Sequence, residues 1–565
     1  MRRRSEGSDV TGGQLVIECL RRSGVRWIYG IPGGQTLSIL DALYHRPDIR
    51  FVTTRHEGAA ACMADAYGRL TGNIGVCLAT TGPGATNLLT GIGGAYKDSS
   101  PVLILVASNL VQHVGRDDAQ AVDHVALFQP LTKGSAAVYH RADIVPKLQW
   151  AVTLATSGCP GPVLLDFARD VLEGEADPQS LAGFRPTASA PPAPDAHAIE
   201  QIVSRIVEAK RPVFWAGNGV KLARAGTRLL AVAEQLAVPC VTTYNGIGSL
   251  PTDHPLCFGT ASRMGTELGI RAVTESDCVV AIGNSLNAVS TGRWTMRLPD
   301  TILQIDVDAG VIGRNYPVCV GATADAAAAL STVAEAVAAP DVAAARERHA
   351  GWNAYMAAAR ATWRAQVARD EVHGFPVRPQ MLMRQLSDVL PADAALLVDA
   401  GNPGLWSFLM TVGGQTTYMK PVGFGNMGFA LPAAIAVKLE QPDRPVLCLI
   451  GDGSLGMTLA ELETAARERT AVGIVVMNDC GYGNIRQEQA QRYGDRLIGV
   501  DFGDVDYAGV ARTLGVEAAR VTSSQEITHL LQRGLRSNGP YLLDVPIASD
   551  DVRTYPPFCP IEARE

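Results

Sequence analysis

Short, unbroken apolar runs recur along the chain and alternate with stretches of helical periodicity. They are Ile74–Ala79 and Val102–Val106, then Pro212–Ala216 and Cys278–Ile282, then Ala395–Val398, Val446–Ile450 and Gly473–Met477. Runs this short, without polar alternation, suit parallel strands covered on both faces. Many end in glycine-rich turns, as loops at the ligand-binding edge of a parallel sheet do. Two interruptions divide the pattern. Phe184–His197 is rich in proline, alanine and serine and reads as an extended linker. Ala338–Pro379 continues as an Ala/Arg-rich helical segment that ends near Gly374-Phe375-Pro376. The expected fold is α/β, with three doubly wound parallel-sheet domains at residues 1–183, 198–336 and 375–565. No tandem repeat is visible, and the first and last blocks share only the coarse strand–helix pattern.

Composition narrows the function. Of 565 residues, 47% are hydrophobic and 19% charged, the balance of a folded protein. Lys and Arg number 49 against 56 Asp and Glu, a net charge of −7. That surplus gives no general attraction for nucleic acid or anionic lipid, so neither is an expected partner. Eleven cysteines are scattered without a Cys-x-x-Cys pair, as in a cytoplasmic protein with reduced thiols. Met1-Arg2-Arg3-Arg4 is followed by no apolar stretch of a secretory signal. No apolar run approaches the roughly 18 residues of a membrane span.

The sharpest chemical signal is Gly451-Asp452-Gly453-Ser454, directly after the run Val446–Ile450 and before a helix-like stretch, Thr458–Arg467. Alone, a Gly-Asp-Gly turn also caps ordinary helices. A second apolar run ends in Asn478-Asp479-Cys480-Gly481, with Asp479 27 positions beyond Asp452. Two adjacent parallel strands joined by a helix bring both tips to one sheet edge. Asp452, Asp479 and a backbone carbonyl, that of Gly481, would then hold Mg²⁺ bridging a diphosphate, with Gly453 and Ser454 beside the phosphates. Asn478 should face the opposite side of its strand.

This combination resembles the thiamine-diphosphate (ThDP) enzymes of the acetolactate synthase and 2-oxo acid decarboxylase family. Their signature is Gly-Asp-Gly followed, about 25 residues later, by Asn-Asn; here Asp479 replaces the second Asn. The resemblance runs over nearly the whole chain, as pyrimidine-binding, central and diphosphate-binding domains. It implies a homodimer or homotetramer with active sites at the subunit interface. Within Arg55-His56-Glu57-Gly58, it assigns Glu57 to proton exchange with N1′ of the aminopyrimidine ring. A lone acid at a helix start is otherwise only a favourable dipole contact. Gly33, Gly34 and Gly82 match the family's first-domain loops, and Gly401 and Asn402 a diphosphate-contacting loop. Gly425 and Met427 match the segment that bends the cofactor.

The resemblance also breaks in places. Acetolactate synthases bind FAD partly through Arg-Phe-Asp-Asp-Arg, where this chain has Ser285-Leu286-Asn287-Ala288-Val289, so FAD is doubtful here. Gln120 is retained as a catalytic residue, but Ala119 stands where the synthases carry Phe, and Asn484 and Glu488 replace Met and Trp. Such a pocket favours a substrate larger and more polar than pyruvate alone. Glu488 could equally pair with Arg486 or Arg492 at the surface. The implied reaction is decarboxylation of a 2-oxo acid, with carboligation of the enamine to a second carbonyl compound. Alternatives are plain decarboxylation and, further off, a catalytically silent protein of the same fold.

Overall fold

The computed structural model describes residues 10–187, 190–337, 339–494 and 496–549. In the first domain, strand β1 (Val10–Thr11) pairs antiparallel with β8 (Glu175–Ala176). Between them lie β2 (Trp27–Gly30), β3 (Arg50–Thr53), β4 (Gly75–Thr80), β5 (Val102–Ser108), β6 (Gly134–Val138) and β7 (Val163–Ala168). These six form a parallel sheet in the order β3-β2-β4-β5-β7-β6. β4 and β5 are buried up to their last residues and β7 throughout, as expected of strands covered on both faces.

The central sheet comprises β9 (Pro212–Ala216), β10 (Cys240–Thr242), β11 (Cys257–Thr260), β12 (Cys278–Ile282), β13 (Thr301–Asp306) and β14 (Val320–Thr323). Its order, β11-β10-β9-β12-β13-β14, is that of dinucleotide-binding sheets. The segment read as a divider is a helix, Ala339–Asp370, that buries Ala345, Trp352 and Met356 in the central domain's cores.

The third sheet contains β15 (Ala395–Val398), β16 (Thr417–Met419), β17 (Val446–Gly451), β18 (Val472–Asn478), β19 (Glu517–Arg520) and β20 (Tyr541–Pro546). Its order is β16-β15-β17-β18-β20-β19. Numbered from its first strand, this is the winding of the first domain's parallel sheet. The two domains therefore share a full topology, more than the coarse pattern expected. Winding order resides in long-range pairing, which local periodicity does not encode.

By packing, the chain forms two compact units. One contains the residues up to Ala190 together with Phe424–Glu440 and Thr458–Thr464; the other contains the remainder. Helix Ala430–Glu440 lies against helix Glu57–Thr71. It is buried over Ala430–Val437, with no polar face, and so behaves as a core helix. Trp27 Nε1 donates to Glu440 at 2.8 Å, and the Arg69 guanidinium lies 5.1 Å above the Phe429 ring. Among the described residues no single helix is long and apolar enough to cross a membrane, and no disulfide joins any of the ten described cysteines.

Candidate active site

The sequence-predicted residues divide between the two units. Gly33, Gly34, Glu57, Gly82, Ala119, Gln120, Gly425 and Met427 lie in the unit built on the first domain. Gly401, Asn402, Asp452, Gly453, Ser454, Asp479, Gly481, Asn484 and Glu488 lie in the other.

Glu57 opens helix Glu57–Thr71 and is 8% exposed. Its Oε2 accepts from Asn87 Nδ2 at 3.0 Å. Asn87 rides on helix Pro83–Lys97, whose Gly84 presses so close that a Cβ there would lie 3.4 Å from Glu57 Oε1. The peptide entering the helix is gripped as well. Glu461 Oε1 accepts the amides of Arg55 at 2.9 Å and His56 at 3.1 Å, and its Oε2 accepts the Thr464 hydroxyl at 2.7 Å. Burial pushes the Glu461 carboxyl above its usual range. Sequence reasoning placed Asn87 in a first-domain glycine loop without giving it a role, and missed Glu461; 406 positions separate Arg55 from Glu461, and nothing local marks it.

Gln120 has φ +61°, and its carbonyl accepts the Thr81 hydroxyl at 3.1 Å. Ala119 and Gln120 are both exposed, and the Ala119 carbonyl accepts from Asn109 at 2.9 Å. Gly33 packs its backbone on Thr80, and Gly34 faces open space. Met427 is half-buried between Gly425 and Gly428, both left-handed at φ +73° and +83°. Beside it, Asn426 is buried and its Oδ1 has no partner.

In the second unit, Asp452 is the first residue of helix Asp452–Thr458 and follows β17 directly. The expected helix Thr458–Arg467 therefore starts earlier and is broken, resuming over Glu461–Arg467. Glycine-rich sequence carries little helical propensity, so the start was hidden. Asp452 is 2% exposed; its two oxygens accept the amides of Gly453 and Gly481, each at 2.9 Å. Burial, then the neighbouring Asp479, push its carboxyl up to about 7. Asp479 follows β18 and is half-buried, and Arg486 Nη1 lies 3.6 Å from its Oδ2. Asn478 turns the other way, donating to Asp544 Oδ1 at 3.0 Å.

A Cβ at Gly483 would overlap Asp479 Oδ2 and lie 2.9 Å from Asn402 Nδ2. Only glycine fits that cradle. Asn402 follows Gly401, and its buried Oδ1 has no partner. Ser454 is buried, and Gly453 backs onto the Tyr482 ring. Asn484 is half-buried, while Glu488 pairs with Arg492 at 3.2 Å; Arg486 instead pairs with Asp501 at 2.9 Å. Gln487, which sequence reasoning missed, is buried with Oε1 unpartnered.

This arrangement fits a diphosphate-bound cation. A buried carboxylate, Asp452, has the half-buried Asp479 close enough to push it up, a pairing of like charges that a hard divalent ion relieves. No cluster of three or more His, Cys, Asp or Glu converges among the described residues. An ion held by two carboxylates needs further oxygens, which a diphosphate supplies.

Comparison with known proteins agrees with this geometry. Residues 10–127, 199–333 and 399–545 match, in order, the N-terminal TPP binding, central and C-terminal TPP binding domains of thiamine pyrophosphate enzymes. The chain is 33% identical to the probable acetolactate synthase large subunit of Methanocaldococcus jannaschii, over 95% of this chain and 92% of the relative. The chain belongs to the acetolactate synthase family. The acetolactate synthase large subunit of Corynebacterium glutamicum is 34% identical over 97% of this chain and 88% of its own. Isozyme 2 large subunit of Escherichia coli K12 is 30% identical over 98% of both. As a member of this family, the protein is a ThDP-dependent, acetolactate synthase-like enzyme.

Proposed function

We propose that the protein decarboxylates a 2-oxo acid and joins the remaining fragment to a second carbonyl compound, using ThDP and Mg²⁺. The neighbouring acids Asp452 and Asp479 carry this reading, because they can supply paired oxygens to a cation at the family's diphosphate motif. Asp452 and Asp479, with the Gly481 carbonyl, hold the metal, while Gly401, Asn402, Gly453 and Ser454 face the diphosphate. Gly33, Gly34, Gly82, Gly425 and Met427 shape the seat of the rings. Bound ThDP supplies a nucleophilic carbon and an electron sink for the decarboxylation. Glu57 holds and returns a proton at N1′, oriented by Asn87. Gln120 orients the substrate.

Ala119 leaves room in the pocket and Asn484 adds polarity, which supports a substrate larger and more polar than pyruvate. Glu488 contributes there as one half of its ion pair with Arg492. The absence of the FAD segment's charges supports a flavin-free enzyme. The dispersed thiols support a cytoplasmic location, and the family's architecture supports a homodimer or homotetramer with sites at the interface. The domains are read as residues 1–183, 198–336 and 375–565. The test is a screen of 2-oxo acid donors, with and without carbonyl acceptors, following CO₂ release and products by mass spectrometry. A ligated hydroxyketone is expected. Free aldehyde alone would make the enzyme a plain decarboxylase, and no turnover with ThDP bound would make it a silent member of the family.

A further inference from the structure

His124 and Asp166 form a buried pair that the reading above does not use. His124 is 1% and Asp166 5% exposed. His124 Nδ1 lies 3.0 Å from Asp166 Oδ2, and its Nε2 accepts the Gly82 amide at 3.1 Å. An amide can only donate, so Nε2 must present its lone pair and the proton must sit on Nδ1, toward the carboxylate. Both bonds thus require one tautomer of the neutral ring. Asp166 stands on the fully buried strand β7, which gives the pair a rigid base.

The amide it holds is a pivot. Gly82 sits at φ +64°, with a Cβ there only 2.6 Å from the Gln120 carbonyl oxygen. It caps helix Pro83–Lys97, which carries Gly84 and Asn87 onto the Glu57 carboxylate. On the other side, Thr81 grips the Gln120 carbonyl and helps hold that residue in its left-handed conformation. One buried hydrogen bond therefore fixes a turn from which both groups are set.

We infer that His124, oriented by Asp166, is a positioning residue that aims Glu57 and Gln120 through the Gly82 turn. The inference rests on the reading of Glu57 and Gln120 as site residues. In place of the ring, an Asn amide nitrogen falls near Nδ1 and a Gln amide oxygen near Nε2. His124→Asn therefore keeps the bond to Asp166 and loses the one to Gly82; His124→Gln does the reverse.

Two readouts test it. In cofactor-free protein, amide hydrogen exchange at Gly82 should rise about tenfold or more in His124→Asn and stay near wild type in His124→Gln. In the ThDP-loaded enzyme, exchange of the cofactor's C2 proton should slow about tenfold in His124→Asn and be largely restored in His124→Gln. Wild-type Gly82 protection in His124→Asn, or equal losses in both variants, would overturn the inference. Should His124→Asn not fold, Asp166→Asn removes the charge that pins the tautomer and should shift both readouts the same way; no shift would overturn it. Glu57→Gln run alongside separates the two readings. If that variant exchanges C2 normally, the assignment of Glu57 fails, and Gly82 protection still decides the role of His124.

Discussion

A buried carboxylate pair poses an electrostatic problem that only a proton or a cation relieves. Asp452, buried, and Asp479, half-buried beside it, come close to such a pair; the Asp452 carboxylate also accepts two amides, and Arg486 lies beside Asp479. Asp452→Ala should therefore abolish retention of both Mg²⁺ and ThDP, read by metal analysis and calorimetric titration. Asp479→Asn should be far milder, because it keeps an oxygen at the same place. Asn478→Ala should bind cofactor normally while losing about 1 kcal/mol of stability with its bond to Asp544. Loss of cofactor in that variant, with retention in Asp479→Ala, would move the metal ligand by one residue. Glu57→Gln should retain ThDP and Mg²⁺ yet slow C2-proton exchange by orders of magnitude, measured by NMR on the bound cofactor. These residues were legible because motif and spacing name them. Asn87, Glu461 and His124 were not, since each acts through a partner distant in sequence.

Elements carry their own chemistry. Helix Ile144–Thr156 ends on carbonyls that no further turn satisfies, and Lys133 Nζ donates to Leu154 and Ser157 at 2.7 Å and Cys159 at 2.8 Å. Lys133→Met should cost about 2–3 kcal/mol, seen as a lower denaturation midpoint in urea. At the end of β13, burial pushes the Asp306 carboxyl up to about 6. A carboxyl raised on folding stabilises the fold while protonated, and that contribution fades as pH rises through 6. Asp306→Asn should thus raise the thermal midpoint relative to wild type at pH 8 and lose most of that advantage at pH 4.5. The same scale shows where local pattern misleads. The start of the helix at Asp452 was hidden by its glycines, and the Ala/Arg-rich segment proved to be a helix of the central domain.

For the whole molecule, ligands that bind only the folded state add stability by mass action. At ThDP and Mg²⁺ each near a hundredfold above its dissociation constant, the gain from each should be about 2.7 kcal/mol. Chelating the metal should remove most of the cofactor's share as well, as the proposed holding of the diphosphate through the ion requires. A thermal midpoint that ignores EDTA in the presence of ThDP would count against the metal site. Sedimentation should find a dimer or tetramer, and a monomer that is fully active would contradict sites built at a subunit interface.

Unbroken apolar runs and the glycine turns after them were enough to establish three parallel-sheet domains, because burial on both faces of a strand is written in its own residues. The Asp452–Asp479 spacing likewise placed two acids at one sheet edge, since a strand–helix–strand unit has nearly fixed length. Tertiary structure alone decided the rest. The common winding of the first and third sheets lies in the order of strand pairing. The docking of Phe424–Glu440 and Thr458–Thr464 onto the first domain's unit lies in which faces meet. The tautomer of His124 depends on an amide and a carboxylate, each 42 positions away, brought to its two nitrogens. Local propensity and motif are properties of neighbours along the chain; these are properties of neighbours in space.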